Sequence, residues 1–296
     1  MSTVGFIGLG RMGAPMAARL ATAGHALAVC DVDGAAVARF VAAHPAAKAA
    51  PTPRAAAAGA DVVITMLPSS AIVAEVLRGP EGALAGLKQG CIVVEMSSGV
   101  PAVTQALEAE VVVAGGFLVD APVSGGVARA VTGELAIMVG GASGPVDDAE
   151  MMVLKDMGTS VLRTGGVGTA HAMKALNNLV SAAGFLVSVE ALLIGKRFGL
   201  DPQVMVDVLN ASTGVNNSTQ KKLKPFVLSR RFDSGFALDL MVKDLGIALG
   251  LADDGHVIAP LAAMTRNLWA EALADRVGSD HTDAARLSER LAGLEL

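Results

Sequence analysis

The sequence predicts an α/β protein: an N-terminal domain on a doubly wound, mainly parallel sheet, a long connecting helix, and an all-helical C-terminal domain. Three observations predict this fold. Short β-rich apolar runs alternate with helical stretches up to about residue 163, a proline-free apolar stretch follows at residues 169–196, and only helical patterns appear after residue 201. We therefore expect domains at residues 1–163 and 164–296.

The composition is typical of a soluble globular chain. Of 296 residues, 52% are hydrophobic and 17% charged, which is too apolar for disorder and too interrupted by charge for a membrane bundle. The net charge of −5 and the absence of Lys or Arg runs argue against binding to nucleic acid or membranes. No basic leader precedes the first strand-like run. The two cysteines, Cys30 and Cys91, lie in apolar runs, so we expect a reducing, cytoplasmic location. None of the five histidines has metal-ligand spacing, so we expect no metal.

The predicted strands are residues 4–7, 27–30, 62–66, 91–95, 117–119, 135–139 and 161–162. Alanine dominates residues 42–60, and two prolines interrupt them, so the pattern does not define the elements there. Later helices are predicted at residues 202–210, with Asp201 as N-cap, and at residues 238–251 and 261–276.

A glycine-rich turn follows the first strand. In the run Gly8-Leu9-Gly10-Arg11-Met12-Gly13, the first glycine permits a tight turn, the second lets the backbone approach a pyrophosphate, and the third allows close packing of helix on strand. The N-terminus of the following helix then offers free N–H groups to the phosphates. These residues predict a Rossmann-type dinucleotide-binding domain. The alternative is a glycine turn in a sheet protein that binds no cofactor.

Asp31 ends the second strand, 18 positions after Gly13. A carboxylate there would accept hydrogen bonds from a ribose 2′-OH and repel a 2′-phosphate. This favours NAD as the cofactor and leaves NADP possible, because Arg11 lies close enough in sequence to complicate the preference. A solvated charge at a helix start is an equally good interpretation of Arg11.

The proline-free stretch carries two polar residues of interest. Lys174 and Asn178 are four positions apart and therefore share one helix face. Because the helix is apolar on every side, we expect it to be buried all round, by the second domain or by another subunit of a homodimer or homotetramer. Burial of the Lys174 amine would lower its pKa towards neutrality, which suits a general acid or base. The alternative is an ordinary solvent-exposed lysine.

A second loop, Asp120-Ala121-Pro122-Val123-Ser124-Gly125-Gly126, places a serine before two glycines. Backbone N–H groups and the Ser124 hydroxyl could surround an anion there, although the same residues could form a simple turn. Together with this loop, the blocks at residues 5–16, 174–178 and 243–245 resemble the β-hydroxyacid dehydrogenases, the group of 3-hydroxyisobutyrate dehydrogenase and tartronate semialdehyde reductase. The resemblance covers nearly the whole chain.

The resemblance implies the residues of an active site. Lys174 would be the catalytic lysine, Asn178 would orient the substrate, and Ser124, Gly125 and Gly126 would bind its carboxylate. Leu67, Pro68, Ser98 and Lys243 would contact the cofactor, with serine standing at position 98 where the family usually has threonine. The family commonly has glycines six and four positions before the lysine, and this chain has Gly168 and Ala170.

The expected activity is NAD(P)-dependent hydride transfer between nicotinamide and a short 3-hydroxy acid or its semialdehyde, with Lys174 exchanging the hydroxyl proton. Two alternatives stay open: an imine reductase, and a catalytically silent cofactor-binding regulatory protein. The sequence does not select the acid, the direction of reaction or the stereochemistry.

Overall fold

The structure is a computed structural model that describes residues 1–296. The chain forms two compact units, Met1–Lys174 and Ala175–Leu296. This division falls inside the long helix, whereas the sequence places the domain boundary before it, at residues 163 and 164.

The first unit is built on one sheet of nine strands. The strands are β1 (Thr3–Ile7), β2 (Ala26–Cys30), β3 (Lys48–Ala49), β4 (Val62–Thr65), β5 (Ile92–Glu95), β6 (Phe117–Asp120), β7 (Val123–Ser124), β8 (Leu135–Gly140) and β9 (Gly158–Gly165). Their order is β3-β2-β1-β4-β5-β6-β8-β7, and β9 pairs with β8. The first six strands in this order are parallel, while β8 runs antiparallel to β6 and β7. The predicted α/β class and parallel sheet are confirmed.

Helices cover both faces of this sheet. They are α1 (Gly13–Thr22), α2 (Gly34–Ala43), α3 (Pro53–Ala57), α4 (Ser70–Arg78), α5 (Pro101–Val113), α6 (Gly126–Thr132), α7 (Pro145–Ala149) and α8 (Lys155–Met157), with a 3₁₀ turn at Ala83–Gly86 and a π turn at Glu150–Leu154. Alternate strand residues such as Ile64 and Val63 enter separate hydrophobic clusters, one packed by α1, the other by α3, α4 and α5. Burial on both faces explains why the strands are almost continuously apolar.

Local sequence sets where several helices begin. The side chains of Asp33, Thr52 and Ser69 accept backbone N–H groups at the starts of α2, α3 and α4. Such caps satisfy donors that have no partner within the helix. Asp201 does the same for α10 (Pro202–Ala211), as the sequence predicts.

The second unit is helical. Helix α9 (Thr169–Phe198) begins in the first unit and continues into the second, followed by α10, α11 (Asn217–Lys221), α12 (Leu238–Asp254), α13 (Pro260–Ala274) and α14 (Ala285–Ala292), with a π turn at Leu223–Leu228 and a 3₁₀ turn at His281–Ala284. Phe185 and Trp269 lie at the centre of its hydrophobic core, with ring centroids 5.6 Å apart. The predicted helical C-terminal region is confirmed.

Helix α9 is only partly buried within one chain. Phe185, Val189 and Leu192 are buried in the second unit, but Val180 and Ile194 are more than 70% exposed. The helix is long and apolar enough to cross a membrane, yet half of its most apolar stretch lies inside the protein, as in a core helix. Within one chain the helix is therefore not buried all round, because no other element covers its second face.

Candidate active site

The glycine turn after β1 has the geometry that a dinucleotide-binding turn needs. Gly8 has a φ of +103°, and a Cβ on Gly13 would overlap the carbonyl oxygen of Gly8 and lie 3.2 Å from Phe6 Cε1. No protein atom lies within 4 Å of the position that a Cβ on Gly10 would take. The backbone at Gly10 is thus open to a close-lying group, while Gly8 and Gly13 are needed by the turn itself.

Helix α1 begins at Gly13, at the end of the glycine turn. The residue before it, Met12, makes no side-chain capping bond, so no N-cap side chain accepts the backbone N–H groups at the start of the helix. Uncapped N–H groups with the positive end of the helix dipole form a ready site for phosphate. Arg11 lies beside them in the turn and is exposed.

Asp31 ties the end of β2 to the same turn. Its carboxylate accepts the backbone N–H of Leu9 at 2.5 Å and that of Asp33 at 2.8 Å. Asp33 is the N-cap of α2, and its side chain accepts the backbone N–H of Ala35. One carboxylate therefore fixes the glycine turn against the neighbouring strand, at the position where the sequence expects the ribose.

Two further loops follow β4 and β5 at the same carboxyl edge of the parallel strands. The backbone N–H of Leu67 donates to Ser97 Oγ at 3.0 Å, which joins the loop containing Pro68 to the loop containing Ser98. Ser98 is half-buried and Pro68 is exposed. The topological switch lies between β1 and β4, where strand order reverses, and this is where α/β sheets bind ligands. These residues fit a dinucleotide.

The serine-glycine loop lies between β7 and α6. Gly125 and Gly126 have φ values of +134° and +69°, which only glycine adopts without strain. A Cβ on Gly125 would lie 2.7 Å from Arg129 Cδ, whereas Gly126 has open space around it. The loop therefore presents backbone rather than side chains beside the half-buried Ser124.

Lys174 lies on the second turn of α9, and only 8% of its surface is exposed. This agrees with the burial that its apolar neighbours predict. The start of the helix is set by Gly168, whose φ is +91°, while Ala170 is helical and fully buried. A positive φ is thus needed at position 168 and not at position 170, so the alanine does not displace the lysine.

In the second unit, Asn178 and Lys243 meet through a residue that the sequence analysis did not assign. Asn178 Nδ2 donates to Asp244 Oδ2 at 2.6 Å, and Lys243 Nζ lies 3.5 Å from Asp244 Oδ1. Asp244 is 1% exposed and Asn178 is also buried. In the sequence, only the neighbouring Lys243 draws attention to Asp244. The contact between Asn178 and Asp244 joins positions 66 residues apart, so no local pattern indicates it.

Neither cysteine can act as a nucleophile at neutral pH. Burial raises the pKa of the Cys30 thiol, and the nearby Asp31 carboxylate adds to the rise. Burial raises the pKa of Cys91 to about 11. Since the thiolate is the reactive form, both side chains are inert packing groups. No group of three or more His, Cys, Asp and Glu side chains is placed to hold a metal ion.

Two family models match the chain. The model described as the NAD binding domain of 6-phosphogluconate dehydrogenase matches residues 3–166, and the model described as NAD-binding of NADP-dependent 3-hydroxyisobutyrate dehydrogenase matches residues 168–288. Together they span both units.

Several known proteins align with nearly the whole length of this chain. The 2-(hydroxymethyl)glutarate dehydrogenase of Eubacterium barkeri is 36% identical over 294 residues, covering 99% of this chain and 97% of that enzyme. The solved structure of Mycobacterium tuberculosis 3-hydroxyisobutyrate dehydrogenase with L-serine is 32% identical, has a TM-score of 0.89, and covers 98% of this chain and 99% of its own. An imine reductase from Myxococcus stipitatus is more distant, at 19% identity, a TM-score of 0.66 and coverage of 97% of this chain and 99% of its own, and shares the fold alone.

Proposed function

Because the chain belongs to the β-hydroxyacid dehydrogenase family, we propose that it moves a hydride between nicotinamide and a short 3-hydroxy acid or the matching semialdehyde. As a member of that family it is an NAD(P)-dependent oxidoreductase. The observation that carries the proposed chemistry is the burial of Lys174, since lysine is almost never buried unless it is paired or used.

A nicotinamide coenzyme, when bound, supplies the hydride acceptor or donor. The chain supplies the binding and orientation. We assign the pyrophosphate to the residues of the glycine turn, the ribose to Asp31, and the remaining coenzyme contacts to Leu67, Pro68, Ser98 and Lys243. The open backbone at Gly10 and the uncapped start of α1 support this assignment.

In this proposal Lys174 is the general acid and base that exchanges the proton of the substrate hydroxyl. During oxidation its neutral amine accepts the proton of the substrate hydroxyl, and during reduction its ammonium returns that proton to the new alkoxide oxygen. Ser124, Gly125 and Gly126 bind the carboxylate one carbon away from the reacting centre. Asn178, held by Asp244, orients the substrate hydroxyl through its amide. A site with these two anchors selects 3-hydroxy acids over simple alcohols.

The test is a substrate panel run with NAD⁺ and with NADP⁺, following NADH or NADPH absorbance. The panel contains 3-hydroxyisobutyrate, 2-(hydroxymethyl)glutarate and L-serine, which is itself a 3-hydroxy acid, with 1-propanol as the control that lacks a carboxylate. We expect turnover of at least one acid and none of the alcohol. Oxidation of NADPH by a cyclic imine, in a separate assay run with the reduced coenzyme, and no turnover of any acid would favour the imine reductase. Coenzyme binding without any turnover would favour a silent regulatory protein.

Coenzyme preference gives a separate prediction. Replacing Asp31 by asparagine removes the charge that repels a 2′-phosphate, so we expect the ratio of kcat/KM for NADP⁺ to that for NAD⁺ to rise about tenfold. Asparagine can still accept the Leu9 N–H through its amide oxygen, so the contact with the glycine turn is preserved, whereas the bond from the Asp33 N–H is lost. The matched control is Asp33→Asn, which keeps the cap of α2. An equal shift in both variants would show that Asp31 does not set the preference.

We further propose that the protein is a homodimer or homotetramer. Exposed apolar side chains share one face of α9, at Val180, Val187, Ile194 and Phe198. Exposed patches of this kind commonly mark association surfaces. Light scattering should give a mass of at least two chains, and Ile194→Glu should lower this mass. The control Val113→Glu, at the exposed last residue of α5, should leave it unchanged. A wild-type protein that is monomeric at all concentrations would contradict this proposal.

We place the protein in the cytoplasm. Both cysteines are free and buried, which suits a reducing compartment. Fractionation of the source cells, with immunodetection of the native protein, checks this location.

A further inference from the structure

A cluster of buried polar side chains in the first unit has no part in the steps described above. It comprises Glu95 at the end of β5, Asp120 at the end of β6, Thr104 on α5 and His171 on the first turn of α9. Each is at most 2% exposed. Burying charged groups costs free energy of folding. Because replacing them by apolar groups is often neutral for stability, stability alone does not explain why such a cluster is present.

Asp120 fixes the start of α9. Its Oδ1 accepts the backbone N–H of Gly168 at 2.8 Å, and its Oδ2 accepts that of His171 at 2.9 Å. These N–H groups belong to the first turn, where a helix has no internal acceptors for them. A carboxylate at this end is also favoured by the helix dipole. The first turn of α9 is thereby fastened to the end of a central strand.

The His171 ring is held at both nitrogens. Its Nε2 lies 2.8 Å from Glu95 Oε2 as an ion pair, and its Nδ1 lies 2.8 Å from Thr104 Oγ1. The Thr104 hydroxyl lies 3.3 Å from the carbonyl oxygen of Val100, and donation to that oxygen leaves it able to accept a proton from Nδ1. With the Glu95 carboxylate facing Nε2, this arrangement favours the imidazolium form of the ring.

The charge balance around the ring agrees with this state. Burial would lower the pKa of His171, but the carboxylates of Glu95 and Asp120 outweigh it, and the net pKa lies above the ordinary value for histidine. The carboxylates reach the ring from β5 and β6, and Lys174 is the charged group one turn further along α9. The imidazolium therefore compensates two buried negative charges.

Glu95 connects the ring to the loop after β5. Its second oxygen, Oε1, accepts the backbone N–H of Ser97 at 2.9 Å, immediately before Ser98. Gly99 in the same loop lies against the ring: a Cβ there would be 2.8 Å from His171 Cε1 and 3.0 Å from Glu95 Oε2. The loop that carries Ser98 and the helix turn that precedes Lys174 are thus joined through one carboxylate and one ring.

We propose that Glu95 and His171 are positioning residues that set the Lys174 amine relative to the Ser98 loop. This inference rests on the proposed function, in which Lys174 exchanges the proton. His171 precedes Lys174 by three residues, so the two side chains stand one helical turn apart on neighbouring positions. A shift of the helix start relative to the loop would move the amine, and a displacement of about 1 Å can cost about 100-fold in rate.

The first test compares Glu95→Gln with the double variant Glu95→Gln/His171→Gln. The single variant leaves an imidazolium without its ion-pair partner, and we expect kcat to fall about 10- to 100-fold while the Kd for NADH and the KM for the acid barely change. In the double variant two neutral amides can hydrogen-bond in place of the ion pair, so part of the lost kcat should return. Rates are expressed per coenzyme-binding site, measured by NADH titration.

Gly99→Ala is a second variant that keeps every charge and presses on the His171 ring and on the Glu95 carboxylate. It should also lower kcat, while the control Gly250→Ala, which meets no atom within 4 Å, should not. If Glu95→Gln and Gly99→Ala lower the Tm yet keep the wild-type kcat per site, the cluster is merely structural and the inference is wrong. Failure of the proposed function would look different, since Lys174→Ala would then retain activity.

The pH dependence of stability supplies a readout that does not use activity. Because the folded pKa of His171 is raised, the imidazolium contributes stability that is fully present below the ordinary pKa of about 6.5 and is lost as the pH rises through the raised value. The gap in Tm between the wild type and His171→Gln should therefore shrink at high pH. A gap that is constant or grows with pH would contradict a charged ring.

Discussion

Replacing Lys174 by alanine is expected to lower kcat by about 10²- to 10⁴-fold, the usual contribution of a general acid or base. The buried amine is the group to which we assign the proton of the substrate hydroxyl, and alanine has no group that exchanges a proton. Coenzyme affinity should hardly change, because the glycine turn is untouched. Stopped-flow or steady-state assays with the best acid of the panel measure the loss, and NADH fluorescence titration measures the affinity.

Two variants sharpen this result. Lys174→Arg keeps a positive charge that cannot be given up near neutral pH, so it should be as impaired as alanine in the oxidative direction. The control Lys155→Ala removes an exposed lysine of the same unit and should leave kcat unchanged. Small primary amines added to Lys174→Ala should restore part of the rate. Wild-type turnover by Lys174→Ala would remove the lysine from the mechanism.

The second large effect is expected for Gly13→Ala. The new Cβ would overlap the carbonyl oxygen of Gly8 and press on the Phe6 ring, so the turn must open. Overpacking of this kind costs about 1–3 kcal/mol of stability, and the displaced N–H groups should weaken NADH binding by at least about tenfold. Thermal unfolding and fluorescence titration record the two changes.

Gly34→Ala is the matched control for this substitution. Gly34 is also the first residue of a helix, α2, but no atom lies within 4 Å of its added Cβ. Its replacement should keep NADH affinity and should slightly raise the Tm, because alanine loses less entropy on folding. If Gly13→Ala binds NADH as tightly as the wild type, the coenzyme does not use this turn.

Much of the fold could be predicted because its elements follow local rules. The central strands are unbroken apolar runs. The glycine turn and the Asp201 cap each depend on residues that are adjacent in the sequence. The two-residue strands β3 and β7 were missed, because pairing across the sheet creates them and no periodicity precedes them. Strand β9 is longer than its apolar part, residues 161–162, since β8 pairs along most of its length.

The site was less predictable where its contacts join distant positions. Lys174 and Asn178 could be identified because they are four residues apart on one helix. The links from Asn178 to Asp244 and from His171 to Glu95 connect residues 66 and 76 positions apart, so no spacing rule indicates them. For α9, the apolar pattern predicts that every face is covered, but it does not identify whether the same chain or another subunit covers the second face.

The strand order has a consequence for how the chain folds during synthesis. Strand β1 pairs with β4 and β8 pairs with β9, so these neighbours meet only after intervening chain has been made. The last strand ends at Gly165, so every strand of the sheet precedes the helical half in the chain. The sheet can therefore complete its slow, long-range parallel pairings before the C-terminal helices that follow α9 have been released, without interference from them.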